Sequence, residues 1–450
     1  MLLNFKMENF RSFKHKTFFT MISSRQKTHS EYLIDKKVNN NKLRVLPMTV
    51  IYGANACGKS NIVLAMDIMK KMIMKGTLNC RELEPYKNTL SFIRDSSWYD
   101  PVSLEITFAT QNNIYRYGIK FTDIDAYKIQ GEELFVNEDL FFSRDKENKI
   151  SVDIKKLVKK GYINKDDKDF SERLIHKLNQ TLTEEKLVVA GAISNLFDKK
   201  YFEEFNLWFE EFNVIMNAND MDFKQKDLKT ILKNKSDKKD VHRNIYESNS
   251  VEQIMSIAEF GNQKIGFMTE RDNDELSMCS IYKVPLRKEE NTRGDYYGIS
   301  MITDSELMES KGTIHLIRLL QPFIDVLKKG GVIVLDEMDA SLHFEIVVSL
   351  IRIFNNKHIN KNNAQLIFNT HNPIYLDGKL LRHDQIVMVE KKKSDMASEI
   401  YSLADYRLVP KENILKNYLN GKYGALPHVD LEIAFKNILE GEKENVESSK

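Results

Sequence analysis

The sequence predicts an α/β protein whose central sheet is largely parallel and covered on both faces. Three observations carry that expectation. Residues Gly53-Ala-Asn-Ala-Cys-Gly-Lys-Ser60 form a glycine-rich turn, preceded by the apolar stretch Arg44–Tyr52 and followed from Asn61 by a helical pattern. Gly331-Val-Ile-Val-Leu-Asp336 reads as a short buried strand between two helical segments, Thr313 to about Lys328 and Leu342–Phe354. Gln365-Leu-Ile-Phe-Asn-Thr370 is a second strand of the same kind. Continuously apolar strands bounded by helices belong to sheets packed on both faces.

The remaining elements follow in chain order. Leu3, Phe5 and Met7 alternate with Asn4, Lys6 and Glu8, so the chain opens on a half-buried strand, with another around Thr17–Met21. From Pro101 the period returns to two, over Val102–Phe108, Ile114–Phe121 and Tyr127–Val136. Asn112-Asn113 supplies the first turn of what reads as an antiparallel meander. From about Asp153 to Gly298 charge rises and helical spacing is expected to dominate. There Tyr201, Phe202, Phe205, Trp208, Phe209 and Phe212 share one helix face, opposite Glu203, Glu204, Glu210 and Glu211. Such a face docks on a core or binds a partner. The lysine-rich run Lys224–Arg243 is either a solvated segment or a nucleic-acid contact. The Glu/Lys-rich tail after Leu439 is expected to fray. Three units result: 1–152, 153–298 and 299–450.

The chemistry concentrates in four places. Gly53–Ser60 matches Gly-x-x-x-x-Gly-Lys-Ser/Thr in full, between strand and helix. In that setting backbone N–H groups from Gly53, Asn55, Gly58 and Asn61 and the positive helix end cradle phosphates, Lys59 reaches the β/γ oxygens, and the Ser60 hydroxyl holds Mg²⁺. Asp336-Glu337 ends an apolar strand, where carboxylates face the ligand crevice of a parallel sheet. Asp336 suits the second Mg²⁺ contact, and Glu337 the base that polarises water against a γ-phosphate. His371, in Asn369-Thr-His-Asn-Pro373, follows the next strand tip and can donate to a γ-phosphate oxygen. Glu309-Ser-Lys-Gly-Thr313 precedes a helix. Its Ser310 and Gly312 are either a second anion site, acting on the triphosphate of another copy, or a simple helix cap. Asp339 and Ser341 are candidate caps for the helix from Leu342.

Composition sets limits. Lys plus Arg (67) nearly balances Asp plus Glu (65), which argues against a uniformly basic nucleic-acid binder but not against a local patch. Cys57, Cys80 and Cys279 lie far apart without metal-ligand spacing, as expected of a reducing cytoplasm. No apolar run approaches a membrane span, and no signal peptide is expected.

Together these residues resemble ABC-type ATPases of the group containing RecF, SMC and OLD proteins, and more closely the stand-alone AAA15-type ATPases of bacterial anti-phage and abortive-infection systems. Asn9-Phe-Arg-Ser-Phe13 is similar to their first-strand motif, Gly53–Asn61 to their Walker A, Glu309–Thr313 to a shortened signature, Val334–His343 to Walker B and D-loop, and Thr370–Pro373 to the switch histidine. Asp384–Glu390 and Leu419–Pro427 resemble the group's closing segment. Lys311-Gly-Thr313 replaces the glycine pair and glutamine of transporters, and Pro85-Tyr-Lys87 carries no Q-loop glutamine. The resemblance implies an α/β ABC-type ATPase head (a P-loop NTPase) with an antiparallel β subdomain and a helical insertion. It implies ATP and Mg²⁺ as ligands and a homodimer or higher homo-oligomer. ATP would be sandwiched between Lys59, Ser60, Asp336 and Glu337 of one copy and Ser310 and Gly312 of the other. Val389-Glu-Lys-Lys-Lys-Ser-Asp395 lacks the glycine and Asp-x-Asp pair of the appended Toprim nuclease, so a nuclease or toxin effector is expected in a separately encoded partner. The alternative function is a DNA-maintenance ATPase that clamps DNA in its ATP-bound dimer.

Overall fold

A computed structural model describes the chain except residues 40, 165–167, 218–222, 225–243, 248–263, 270–274, 286–296, 407–411, 427–430 and 448–450. The chain opens with β1 (Leu2–Glu8), β2 (Thr17–Thr20), the hairpin β3 (Ile34–Val38) and β4 (Asn41–Val45), then β5 (Met48–Gly53), which feeds α1 (Lys59–Lys75). A meander follows: β6 (Val102–Ala109), β7 (Ile114–Thr122), β8 (Lys128–Val136), β9 (Asp139–Arg144) and β10 (Ile150–Ser151). Next come α2 (Ile154–Lys159), α3 (Lys168–Thr181), α4 (Lys199–Glu211) and β11 (Phe212–Ile215). A further group comprises β12 (Phe223–Lys224), β13 (Asn244–Glu247), β14 (Lys264–Thr269), β15 (Glu275–Pro285), β16 (Tyr297–Asp304) and the short α5 (Ser305–Met308). The chain then forms α6 (Lys311–Lys329), β17 (Val332–Leu335), α7 (Phe344–Asn355), β18 (Gln365–Asn369), β19 (Ile386–Lys391), β20 (Ser398–Ser402), α8 (Ile414–Leu419) and α9 (Leu431–Glu447).

Among the described residues the central sheet runs β11-β17-β18-β5-β19-β20, parallel except for β20. Alternate side chains point to opposite faces, so each strand feeds two cores. Ile51, Val332, Val334, Ile367 and Val389 join α1, the meander and α4 on one side. Val50, Ile333, Leu335, Phe368 and Met388 join α6 and α7 on the other. Burial on both faces explains why these strands read as unbroken apolar runs. The antiparallel sheet, β10-β9-β8-β7-β6-β1-β2, packs on α1 and α4. The two sheets are joined by the buried Gln365 amide, whose Oε1 accepts from Leu2 N at 2.6 Å and whose Nε2 donates to the Leu2 and Leu46 carbonyls at 3.1 Å. The aromatic face of α4 docks on the meander: Trp208 stacks on Phe108 at 4.0 Å, and Phe205 sits edge-on to Tyr117.

Four expectations change. Among the described residues, the segment 153–298 is helical only to Glu211. Beyond it, β13–β16 form an antiparallel sheet with β12, and runs such as Tyr297-Gly-Ile-Ser alternate an aromatic or β-branched residue with a small one. Phe212 opens β11 rather than closing the α4 face, although it still stacks on Trp208 at 4.9 Å. Neither Asp339 nor Ser341 caps α7; the cap is His343, whose ring nitrogen faces Glu345 N at 3.3 Å. The tail beyond Leu439 is helical to Glu447, as part of α9. The run Lys224–Arg243 lies outside the described residues apart from Lys224 in β12.

Candidate nucleotide-binding site

The loop between β5 and α1 is shaped by left-handed backbone at Ala56 (φ 60°) and Gly58 (φ 116°). A β-carbon at Gly58 would lie 2.6 Å from Ser12 Oγ and 2.8 Å from Ser398 Oγ, so glycine is required there by conformation and by space. Ser12 and Ser398 also hold the loop: Ser12 Oγ accepts from Asn61 Nδ2 at 2.8 Å, and Ser398 Oγ donates to the Cys57 carbonyl. Ser398 reaches the loop from β20, and Ser12, inside the Asn9–Phe13 motif, from the turn after β1; neither contact is signalled by spacing along the chain. The N-terminus of α1 has no side-chain cap and no acidic residue in its first turn. Its first N–H groups and the positive end of a 17-residue helix therefore face the loop's concavity, which is what an anion needs. The buried Lys59 donates from Nζ to the carbonyls of Gly53 and Ala54, both at 2.9 Å, which holds the ammonium across the loop.

The carboxylates come from the tip of β17. Asp336 is half-buried, and burial pushes its carboxyl above the usual range, against the opposing hydrogen bonds from Asn369 and the Ser60 hydroxyl. The Ser60 hydroxyl, the other group expected to hold Mg²⁺, is thus near enough to the Asp336 carboxyl to favour its charged form. Glu337 follows with left-handed backbone, φ 49°, and an exposed side chain. The Asn369 carboxamide bridges the two: Nδ2 donates to Asp336 Oδ1, and Oδ1 accepts from Glu337 N at 2.5 Å. One residue on, Thr370 Oγ1 donates to Asp339 Oδ2 at 2.6 Å. Burial, and then the Lys59 charge, hold the His371 imidazole below its ordinary value, so the ring is neutral near neutral pH.

The structure gathers Asn55, Ala56, Gly58, Lys59, Ser60, Asn61, Glu337 and His371 around one cleft of about 550 Å³. Ser310 and Gly312 do not line it. Ser310 is the N-cap of α6, its Oγ accepting from Thr313 N at 3.1 Å, and both it and Lys311 are exposed. Gly312 lies against the turn after β17, where a β-carbon would come 2.4 Å from the Ser341 carbonyl oxygen.

The two-faced parallel sheet, the phosphate-cradling loop and the carboxylates on a neighbouring strand tip define a P-loop ATPase head carrying an antiparallel subsheet. The chain belongs to the family described as "AAA domain, putative AbiEii toxin, Type IV TA system", whose model matches residues 48–377, from the start of β5 to just past His371. No curated protein matches the chain. Among solved structures it is similar to the SMC head domain from Thermotoga maritima, at 14% identity and a TM-score of 0.35, with 89% of this chain and 98% of that chain covered. That likeness is too loose to carry function. Among the described residues, no helix is long and apolar enough to cross a membrane.

Proposed function

We propose that this protein is a cytoplasmic ATP-hydrolysing switch of ABC type, of the AAA15 kind, acting in phage defence by abortive infection alongside a separately encoded nuclease or toxin. The observation that carries the hydrolytic reading is the convergence of Lys59, Ser60, Glu337 and His371 on one cleft. The defence role rests on the motif set and on the family's description as a toxin-type AAA domain of a Type IV toxin–antitoxin system. Residues 1–152 and 299–450 make the two lobes of the head. Residues 153–298 are inserted between them and lend β11 to the central sheet.

The donor set fits Mg²⁺–ATP: an uncapped helix N-terminus, a buried lysine, and a serine hydroxyl near a carboxylate. Ser60 and Asp336 would hold Mg²⁺, which supplies charge neutralisation at the phosphates. Glu337 accepts a proton from the water that attacks the γ-phosphorus as the bond to the β–γ bridging oxygen breaks. ADP and phosphate leave. His371, neutral and donating, stabilises a γ-phosphate oxygen. Ser310 and Gly312 act on the triphosphate of a second copy, so ATP holds the dimer and hydrolysis releases it.

Nucleotide titration and steady-state hydrolysis test this reading. Lys59→Ala is expected to lose nucleotide binding, and unchanged affinity would remove the loop from the site. Glu337→Gln should keep binding while kcat falls by about 10²–10⁴-fold. Hydrolysis at the parent rate would exclude Glu337 as the base.

A further inference from the structure

Asn369 is the last residue of β18, completely buried, and adjacent to the tip of β17. Its side chain is a two-ended clamp. One end donates to the Asp336 carboxylate, and the other accepts from the backbone of Glu337. The orientation is dictated by its partners. A flipped amide would set oxygen against carboxylate and NH₂ against N–H. The clamped peptide is also the one with left-handed backbone at Glu337 (φ 49°), a conformation that a side chain disfavours and that needs support from its surroundings. His371, which also faces the cleft, lies two residues beyond Asn369, and Thr370 adds the second tie, to Asp339.

We propose that Asn369 is a positioning residue for hydrolysis. It fixes the Asp336 carboxylate and turns Glu337 into the cleft, and it locks both to the strand end that carries His371. The proposal rests on the hydrolytic reading above and assigns to that site a residue outside the loop and the carboxylate pair. Its shape explains the choice of residue. Aspartate keeps the acceptor for Glu337 N but sets a second carboxylate against Asp336. Alanine removes both bonds.

The test uses the full chain with Asn369→Ala, the isosteric Asn369→Asp, Glu337→Gln, and the double variant Asn369→Ala/Glu337→Gln. The measurements are steady-state ATP hydrolysis, affinity for a fluorescent ATP analogue in the presence of Mg²⁺, and thermal melting. A misplaced base costs rate before it costs binding. Asn369→Ala should therefore lower kcat about 10²-fold, with nucleotide affinity changed by less than about threefold. Asn369→Asp, which keeps the shape, should lose kcat to a similar extent. In the double variant the second loss should nearly vanish, because Asn369 acts through Glu337. Three results would overturn the proposal: parent kcat in Asn369→Asp, affinity and melting temperature falling in step with kcat, or losses that multiply in the double variant. The failure of the hydrolytic reading looks different. In that case Glu337→Gln alone hydrolyses ATP at the parent rate, whatever the Asn369 variants do.

Discussion

At the scale of single residues, the nucleotide loop depends on what is absent from it as much as on Lys59 and Ser60. Gly58 combines φ 116° with a space closed by the hydroxyls of Ser12 and Ser398. Alanine there meets two penalties, since its backbone disfavours the conformation and its methyl displaces the hydroxyl that receives Asn61. A glycine-to-alanine change at positive φ costs more than the roughly 0.4–1 kcal/mol that the same change gains at a compatible site. The strain falls on the peptide at the start of α1, whose N–H groups face the cleft. Gly58→Ala is therefore expected to lower the melting temperature and weaken ATP affinity more than tenfold, as read by nucleotide titration. Unaltered affinity would show that the loop's curvature is not what binds. Lys59, Ser60, Asp336, Glu337 and His371 were legible because each sits at a strand tip or helix start, where the residue type alone restricts the chemistry. Asn369 stands in the same short run as His371, yet its role depends on β18 lying beside β17, and no spacing along the chain reports that adjacency.

At the scale of elements, legibility followed the origin of each pattern. β5, β17 and β18 read clearly because both faces are buried, which imposes unbroken apolar runs. The strands β6 to β8 read through alternation, and α4 through its aromatic stripe. β11 did not, because a four-residue parallel edge strand has no period of its own and Phe212 completes the stripe of α4. The sheet of β12–β16 was obscured by the charged residues around its strands, although most of its pairings join strands consecutive in the chain. The stripe itself is a structural device. Phe205 is completely buried and contacts Phe108, Tyr115, Tyr117 and Phe209, which binds α4 to the meander at a distance from the cleft. Phe205→Ala should destabilise the fold by about 3–5 kcal/mol. In urea denaturation the midpoint should drop with little change in slope, while ATP affinity at low temperature stays at the parent value. A loss of affinity without a loss of stability would assign this face to the nucleotide site instead.

At the scale of the whole molecule, the arrangement of the N-termini of α1 and α6 is the informative feature. The N-terminus of α1 opens on the cleft with Glu337 and His371, whereas that of α6, with Ser310 and Lys311 exposed, lies outside it. Leu307, at 80% exposure, and Met308 lead directly into the α6 turn, so apolar surface adjoins the N-terminus of α6. Gly312 rests on the Ser341 carbonyl, and the His315 ring nitrogen lies 3.2 Å from the Met338 carbonyl oxygen, so the turn after β17 holds α6 in place. On the proposed trans reading of Ser310, one chain offers half of two different sites, and two chains related head to tail would complete both. As a cap alone, Ser310 is worth about 1 kcal/mol of helix stability, and its loss would touch melting but not assembly. As a trans contact it decides whether ATP favours the dimer, because a ligand drives association only through its extra affinity for the associated state. In a Glu337→Gln background, which should trap ATP, light scattering is expected to show dimers on adding Mg²⁺–ATP. Ser310→Arg in the same background should remain monomeric while its nucleotide affinity at low protein concentration matches that of the monomeric parent. Ser310→Ala should shift melting slightly and weaken association far less than arginine does. ATP-driven dimers of Ser310→Arg at the parent concentration would reduce Ser310 to a helix cap and leave the cleft to act within a single chain.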